Sequence, residues 1–420
     1  MPATEKEIGS RCVDLAESMI MSSSKRPSIS KTQALILVIR YKVWTGSYDD
    51  AFMLMAQLTR SAFALRINHE TTKPPYFMQE SRRRLMWAIY ILDSMISCGI
   101  QEYTLCPIGS IHIRLPCPED DFELNNETNV EYIRPYGTSS ERVGIIGHYI
   151  RIINIHDEVI RYTRRAALPT AEFSALVSDS HNLEHELEIF SSNLPDGERY
   201  SQKSLELRSF SPRLPRFIMT HVWWHQAHCQ LFRGTLSTSH VFPESYINKL
   251  GPEALHESRK KCLHHAHSIC AIFASLLALE GDTWTLDYEM AECAYTAAEI
   301  LLTSDITLQN QLGFTRNQMT EGAAVCLRLM KNLQQMYPYL STMIADIEQG
   351  LLRIPEIVPF GTEISQMIEI APYQRVPRYS VLGQTCSIHD GNPLGVYTQS
   401  PISRASDANF SPYSQDLALS

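Results

Sequence analysis

Residues 30–65 read SKTQALILVIRYKVWTGSYDDAFMLMAQLTRSAFAL, and this stretch decides the fold class. Ala34, Leu35, Ile36, Leu37, Val38 and Ile39 run on through Val43 and Trp44. A segment apolar on nearly every side predicts a helix inside a bundle. Gly46 supplies a left-handed stop. Ser47, with Asp50 three residues later, has the spacing of a capping box and restarts a helix. In that second helix Phe52, Met55, Leu58, Ala62 and Leu65 recur at three- and four-residue steps, one apolar stripe. So short a connection folds the two helices back as an antiparallel hairpin.

The same period extends outward. A third helix is predicted from about Met78 to Ile96, where Leu85, Ile89, Leu92 and Ile96 make a narrow seam. Between Cys106 and Glu131 the period is lost and Pro107, Pro116, Pro118 and Asn125-Asn126 appear, which predicts an extended crossing segment. Helical periodicity returns at about 141–166, 171–193, 215–236, 253–279, 287–308 and 318–336. Hardly any window alternates as a half-buried strand does. The expected fold is all-α, a multi-helix bundle of antiparallel helix pairs. The expected organisation is an N-terminal helix and linker (1–29), a core (30–125), a further helical part (126–371) and a tail (372–420). The tail carries Pro, Ser, Gln, Asn, Gly and Tyr without a period, so disorder is predicted there.

Composition bounds the function. The 420 residues are 44% hydrophobic and 20% charged, with 37 basic against 46 acidic side chains and a net charge of −9. That balance argues against electrostatic capture of nucleic acid by the chain as a whole. The longest apolar runs, 34–39 and 269–279, are too short for the ~18–20 residues of a spanning helix, so no membrane partner is expected. Met1 to Met21 lacks the pattern of a secretory signal, and ten cysteines from Cys12 to Cys386 form no CxxC pair. Reduced thiols in an intracellular protein are the expectation.

No phosphate loop, dinucleotide fingerprint, nucleophile elbow or HExxH motif is present. The best chemical candidates are His221, His225 and His228, one face of one helix at i, i+4 and i+7, with His264, His265 and His267 as a second group. Such spacing could chelate zinc. Residues 222–227 offer no carboxylate base, however, so core packing is the competing reading. Pro118 to Glu123 is acidic but lacks the ligand spacing of a calcium loop. Arg82-Arg83-Arg84 lies early in a helix, where positive charge opposes the dipole. It therefore calls for carboxylate partners on a neighbouring segment, nuclear import being the other reading of this run and of Arg259-Lys260-Lys261.

Glu80-Ser81-Arg82-Arg83-Arg84-Leu85-Met86-Trp87-Ala88-Ile89-Tyr90-Ile91-Leu92-Asp93 resembles the central signature of the fungal-specific transcription factor domain, the middle homology region of fungal zinc-cluster regulators. The preceding helix pair is similar too, as are Ile113-Arg114-Leu115-Pro116 and Asp120-Asp121-Phe122 beyond it, and, more loosely, the His221–Cys229 helix. The resemblance implies a nuclear regulator of RNA polymerase II transcription, not an enzyme. It also implies structural or regulatory roles for Arg82, Arg83, Arg84, Leu85, Trp87, Tyr90, Asp93, Leu115 and Pro116. Two departures stand out. The family's DNA-reading module, six cysteines around two zinc ions beginning with CxxC, has no counterpart in this sequence, so DNA and zinc belong to an upstream module. Arg66 also stands where many members have Gly. The chain is expected to work as the regulatory part of such a factor, with no catalytic residue, metal or cofactor of its own. Its expected partners are a homo- or heterodimer mate, the transcription machinery and a small-molecule effector. Two alternatives remain: a metal-dependent enzyme on His221, His225 and His228, and a stand-alone helical module that titrates full-length relatives.

Overall fold

The computed structural model describes residues 5–22, 26–134, 143–168, 170–236, 241–279, 288–304, 309–310, 313–334 and 336–353. The tail predicted from 372 onward lies outside these. Fourteen α-helices of four or more residues run through the described part. They are α1 (Glu5–Ser22), α2 (Ile29–Thr45), α3 (Tyr48–Ala64), α4 (Tyr76–Ser97), α5 (Glu119–Glu123), α6 (Ile145–Ala166) and α7 (Phe173–Ser192), followed by α8 (Gln202–Leu207), α9 (Leu214–Phe232), α10 (Glu244–Ile247), α11 (Pro252–Leu277), α12 (Tyr288–Thr303), α13 (Arg316–Gln334) and α14 (Ser341–Arg353). Among the described residues there is no strand, only an isolated parallel bridge between His69 and His112. The all-α expectation holds. No helix among the described residues is long and apolar enough to cross a membrane.

The opening hairpin forms as its sequence dictates, with differences in detail. Ser28, one residue ahead of α2, caps it by accepting from the Lys31 amide. Gly46, at φ +81°, closes α2 in the left-handed region where glycine carries no Cβ penalty. Ser47 does precede α3, but its side chain makes no cap bond, and Asp50 pairs with Lys42 at 3.1 Å instead. The capping box is therefore absent: Lys42, in the last turn of α2, draws the carboxylate away. Nor is α2 buried all round. Leu35, Val38 and Ile39 are in the core, while Leu37 is 68% exposed, because α3 and α1 cover only one side. In α3, Met55, Leu58 and Ala62 are fully buried and Phe52 and Leu65 partly so.

Downstream, α9 is the central helix. It packs against α6, α7, α11 and α12, and α13 lies along both α11 and α12. Phe217, Ile218, Met219, Val222 and Ala227 are sealed on its faces. Burying Phe, Ile, Met and Val side chains contributes about 1.5–3 kcal/mol each. The first four helices join this body chiefly through α4 on α6.

After α3 the chain turns at Arg66, which has φ +51° and an exposed side chain. A non-glycine residue in this region costs about 1–2 kcal/mol. Glycine's extra unfolded-state freedom offsets about 0.5–1 kcal/mol of the relief. Arg66→Gly should therefore stabilise the fold by up to about 1 kcal/mol in urea unfolding, whereas Arg60→Gly, inside α3, should destabilise it by about 1 kcal/mol.

Candidate functional site: the signature helix and its carboxylates

The site is built on α4. Pro75 precedes it and the helix begins at Tyr76, so Arg82, Arg83 and Arg84 lie past the first turn, where the dipole's effect has faded. Their positions are set by carboxylates. Glu80, with no exposed surface, accepts from Arg83 Nη1 at 3.2 Å, from Arg84 Nε at 2.9 Å and from the Cys117 amide at 3.0 Å. Glu70, on the turn after α3, takes Arg83 in a two-pronged bridge of 2.8 and 2.9 Å and also accepts from the Arg114 amide at 2.8 Å. Arg84 donates to the Cys117 carbonyl at 2.7 Å, reaches Glu119 at 3.5 Å and lies 4.3 Å over the Phe122 ring. Arg82 turns back to the Leu65 carbonyl at the end of α3.

The rest of the signature faces inward. Leu85 is buried in the core, and Trp87 donates to the Arg114 carbonyl at 2.8 Å. Tyr90 donates to Asn154 of α6 at 3.1 Å, and Asn154 donates on to Glu158. Asp93 accepts from the amides of Leu105 and Cys106, the latter at 2.8 Å. Burial pushes its carboxyl up to about 6, against the pull of those two amides. Leu115 and Pro116 are both buried, and the Leu115 amide bonds to the Glu131 carbonyl at 3.0 Å. Arg84, Trp87 and Asp93 thus bond the crossing segment 105–117 directly, Leu115 and Pro116 belong to it, and Arg83 reaches it through Glu70 and Glu80, whereas Arg82 turns back to the end of α3 and Tyr90 across to α6. Their polar groups are taken up by backbone groups, by ion pairs or, for Tyr90, by the Asn154 side chain.

The sequence reading missed Glu70 and the role of Glu80. Glu80 was findable, because it precedes Arg83 and Arg84 by three and four residues, the spacing of helix ion pairs. Glu70 carries no local signal. A second network was also missed: Glu289 of α12 accepts from Trp223 at 3.0 Å and from Tyr149, with Arg216 at 3.8 Å.

The three histidines of α9 do not act together. His221 bonds to the Glu198 carbonyl at 2.9 Å. His225 meets His265 of α11 nitrogen to nitrogen at 2.9 Å, and His228 stacks on His265 with ring centres 4.0 Å apart. Among the described residues no group of three or more His, Cys, Asp or Glu side chains is arranged to hold a metal ion. The triad at i, i+4 and i+7 is split because His221 lies a full turn from the α11 contact. Burial lowers these rings, His221 to about 4 and His225 and His228 to about 3, with neighbouring positive and imidazole groups adding to the effect.

Two consequences are measurable. Removing Asp93 orphans two buried amides, so Asp93→Ala should cost about 2–4 kcal/mol in urea unfolding. For pH, the folded Asp93 carboxyl holds its proton more tightly than the usual 3.8, so its contribution is fullest at low pH and is lost as pH rises through about 6. The histidines act oppositely. They bind fewer protons folded than unfolded between about 3 and 6.5, so stability falls as pH drops below 6.5. Burial also raises Glu119, Asp157, Glu186 and Glu292, the last to about 7, but among the described residues seven histidines are lowered against these five carboxyls, Asp93 included, so the chain should lose stability from pH 7 to pH 5. His228→Phe should flatten that slope by up to about 1.4 kcal/mol per pH unit.

Residues 12–214 match the fungal specific transcription factor domain. The chain is similar, at 23% identity over 363 residues, to an uncharacterized transcriptional regulatory protein of Schizosaccharomyces pombe; the match covers 75% of this chain and 42% of that protein. It is also similar to two Zn(2)-C6 fungal-type transcription factors of Fusarium oxysporum f. sp. lycopersici, FTF1c at 21% and FTF1a at 22% identity. Each of these matches spans 221 residues and 47% of this chain, and covers 24% and 20% of the relative. The chain thus spans less than half the length of the curated relatives it matches. No solved structure is significantly similar. Over residues 12–214, which include α4 and its carboxylates, the chain is thus similar to the fungal specific transcription factor domain.

Proposed function

We propose that the chain is the regulatory, non-DNA-reading part of a fungal zinc-cluster transcription regulator, acting in the nucleus on RNA polymerase II genes. The observation that carries this reading is the α4 signature, whose Arg84, Glu80 and Asp93, with Glu70 beside them, hold segment 105–117 inside a matched domain. Relatives named as transcription factors support it. The sequence holds no six-cysteine cluster, so DNA contact and the family's zinc ions fall to a zinc-cluster module separate from these residues. The chain itself works through partners: the transcription machinery, a second copy or a full-length relative, and a small-molecule effector. No catalysis and no resident cofactor are assigned to the chain in this reading; of the α9 histidines, His221 turns to a backbone carbonyl and His225 to another imidazole.

The test is a fusion of the full chain to an unrelated DNA-binding domain upstream of a reporter in a fungal host. A several-fold rise or fall in reporter output is expected relative to that domain alone. Glu80→Ala, which leaves Arg83 and Arg84 short of a buried partner at a cost of about 3–5 kcal/mol, should abolish the effect. A folded, nuclear fusion with unchanged output would count against the reading. If it also lowered the activity of a co-expressed full-length relative, the titrating module would replace it.

A further inference from the structure

We propose that Ser211 is a phosphorylation site for a proline-directed protein kinase, and that the phosphate releases α5 from the start of α9. Ser211 and Pro212 are the sole Ser-Pro or Thr-Pro pair among the described residues. They stand in the corner 208–213 between α8 and α9. Proline has no N–H. A proline-directed kinase seats the residue after its target where an N–H would meet no acceptor, so it takes proline and rejects the rest. The corner presents this pair outward. Phe210 is 86% exposed, Leu207 is 75% exposed, and Pro212 is exposed beside them. Ser211 itself is half-buried and lines a cleft of about 340 Å³, so its oxygen has room for added bulk. The bonds made by Ser211 are local: its amide donates to the Arg208 carbonyl at 2.8 Å, and its Oγ accepts from the Arg213 amide at 3.2 Å. The nearest buried side chains are Leu205 and Leu214, which leaves the residues between them for a kinase to draw out.

The chemistry is one phosphoryl transfer. Ser211 Oγ attacks the γ-phosphorus of ATP, the bond from that phosphorus to the bridging oxygen breaks, ADP leaves with the electron pair, and the hydroxyl proton passes to the kinase's aspartate. The product adds about −1.5 to −2 charges at pH 7, in a cleft whose arginines are already engaged. Arg208 lies 4.5 Å over the Phe217 ring and donates to the Ser204 and Gly197 carbonyls. Arg213 is held by Asp120 at 2.5 Å and Glu123 at 3.7 Å, both on α5. A covalent phosphate needs no vacant partner to stay in place. It competes with the two carboxylates for Arg213, since a guanidinium pairs with phosphate through two parallel bonds. Asp120 and Glu123 also face an added dianion. Both effects part α5 from α9. On its other side α5 is tied to the signature, with Glu119 at 3.5 Å from Arg84 and Phe122 beneath the same guanidinium. The modification therefore cuts the link that α5 makes between the α4 network and α9.

The experiment is incubation of the purified full chain with a cyclin-dependent kinase and Mg-ATP, followed by phosphopeptide mapping in the mass spectrometer. Mapping separates Ser211 from the Ser-Pro pairs at Ser400 and Ser411. Near-complete phosphate at Ser211 is expected, and none at that position in Ser211→Ala. Hydrogen exchange of residues 118–124 should then quicken by about two- to fivefold, the factor that loss of an exposed ion pair allows. Arg213→Met, with no phosphate, should quicken the same amides by a similar factor while keeping wild-type circular dichroism. The inference is wrong if a synthetic 203–217 peptide takes the phosphate and the folded chain does not, or if neither does. It is equally wrong if the phosphorylated chain, or Arg213→Met, exchanges over 118–124 as the wild type does. The inference rests on the nuclear placement proposed above only in that kinase and ATP are met inside the cell. Its outcomes are read on purified protein, so they leave the transcriptional reading, tested by the reporter fusion, untouched.

Discussion

A carboxylate with no exposed surface must be matched or expelled, and Glu80 is matched three times over: by Arg83, by Arg84 and by the amide of Cys117. An unpaired charge at such a position is strongly destabilising, so the position of segment 105–117 and that of α4 are set together. Glu70 repeats the device from the other side, bridging Arg83 and the amide of residue 114. Asp93 repeats it at the far end of the helix with the amides of 105 and 106. Three acids spread along one region therefore take the part that a neighbouring strand plays in a sheet, satisfying donors that would otherwise be buried unmet.

That arrangement also accounts for the character of the signature. Its arginines look like a basic patch in the sequence, yet their charge is spent inside the protein, on Glu70, Glu80 and a pair of backbone carbonyls. A surface for nucleic acid would need that charge turned outward. The geometry makes α4 a clamp between the α2–α3 hairpin and the crossing segment, with Tyr90 and Asn154 passing the connection to α6.

Much of this was legible beforehand. Periodicity located α3, α4, α7 and α11 because each has a buried stripe, and it read α2, α6 and α9 as helices without showing how many of their sides would be covered. It misjudged how much of α2 would be covered, since apolar residues such as Leu37 do not announce whether a neighbour will arrive. Ser47 and Asp50 had capping-box spacing, but the outcome turned on Lys42, a residue in the preceding helix. The site divided in the same way. Glu80 lies within one helical turn of its partners and could be read from spacing, whereas Glu70 reaches Arg83 across thirteen residues and a reversal of the chain. The histidines were placed correctly on α9, but their partners, the Glu198 carbonyl and His265, come from 23 and 40 residues away.

The borrowed acceptors of segment 105–117 have a dynamic consequence. An amide in a sheet is protected from solvent exchange by its ladder; the amides of 105, 106, 114 and 117 are protected by side chains of α4 and of the turn before it. Their protons can exchange only when Asp93, Glu70 or Glu80 lets go, which ties a segment whose regular structure is one short 3-10 turn, Ile108–Ser110, to the opening of a helix. Loop and helix would then open as one cooperative unit, so the protected core of the domain extends into a stretch that its backbone geometry alone would classify as irregular.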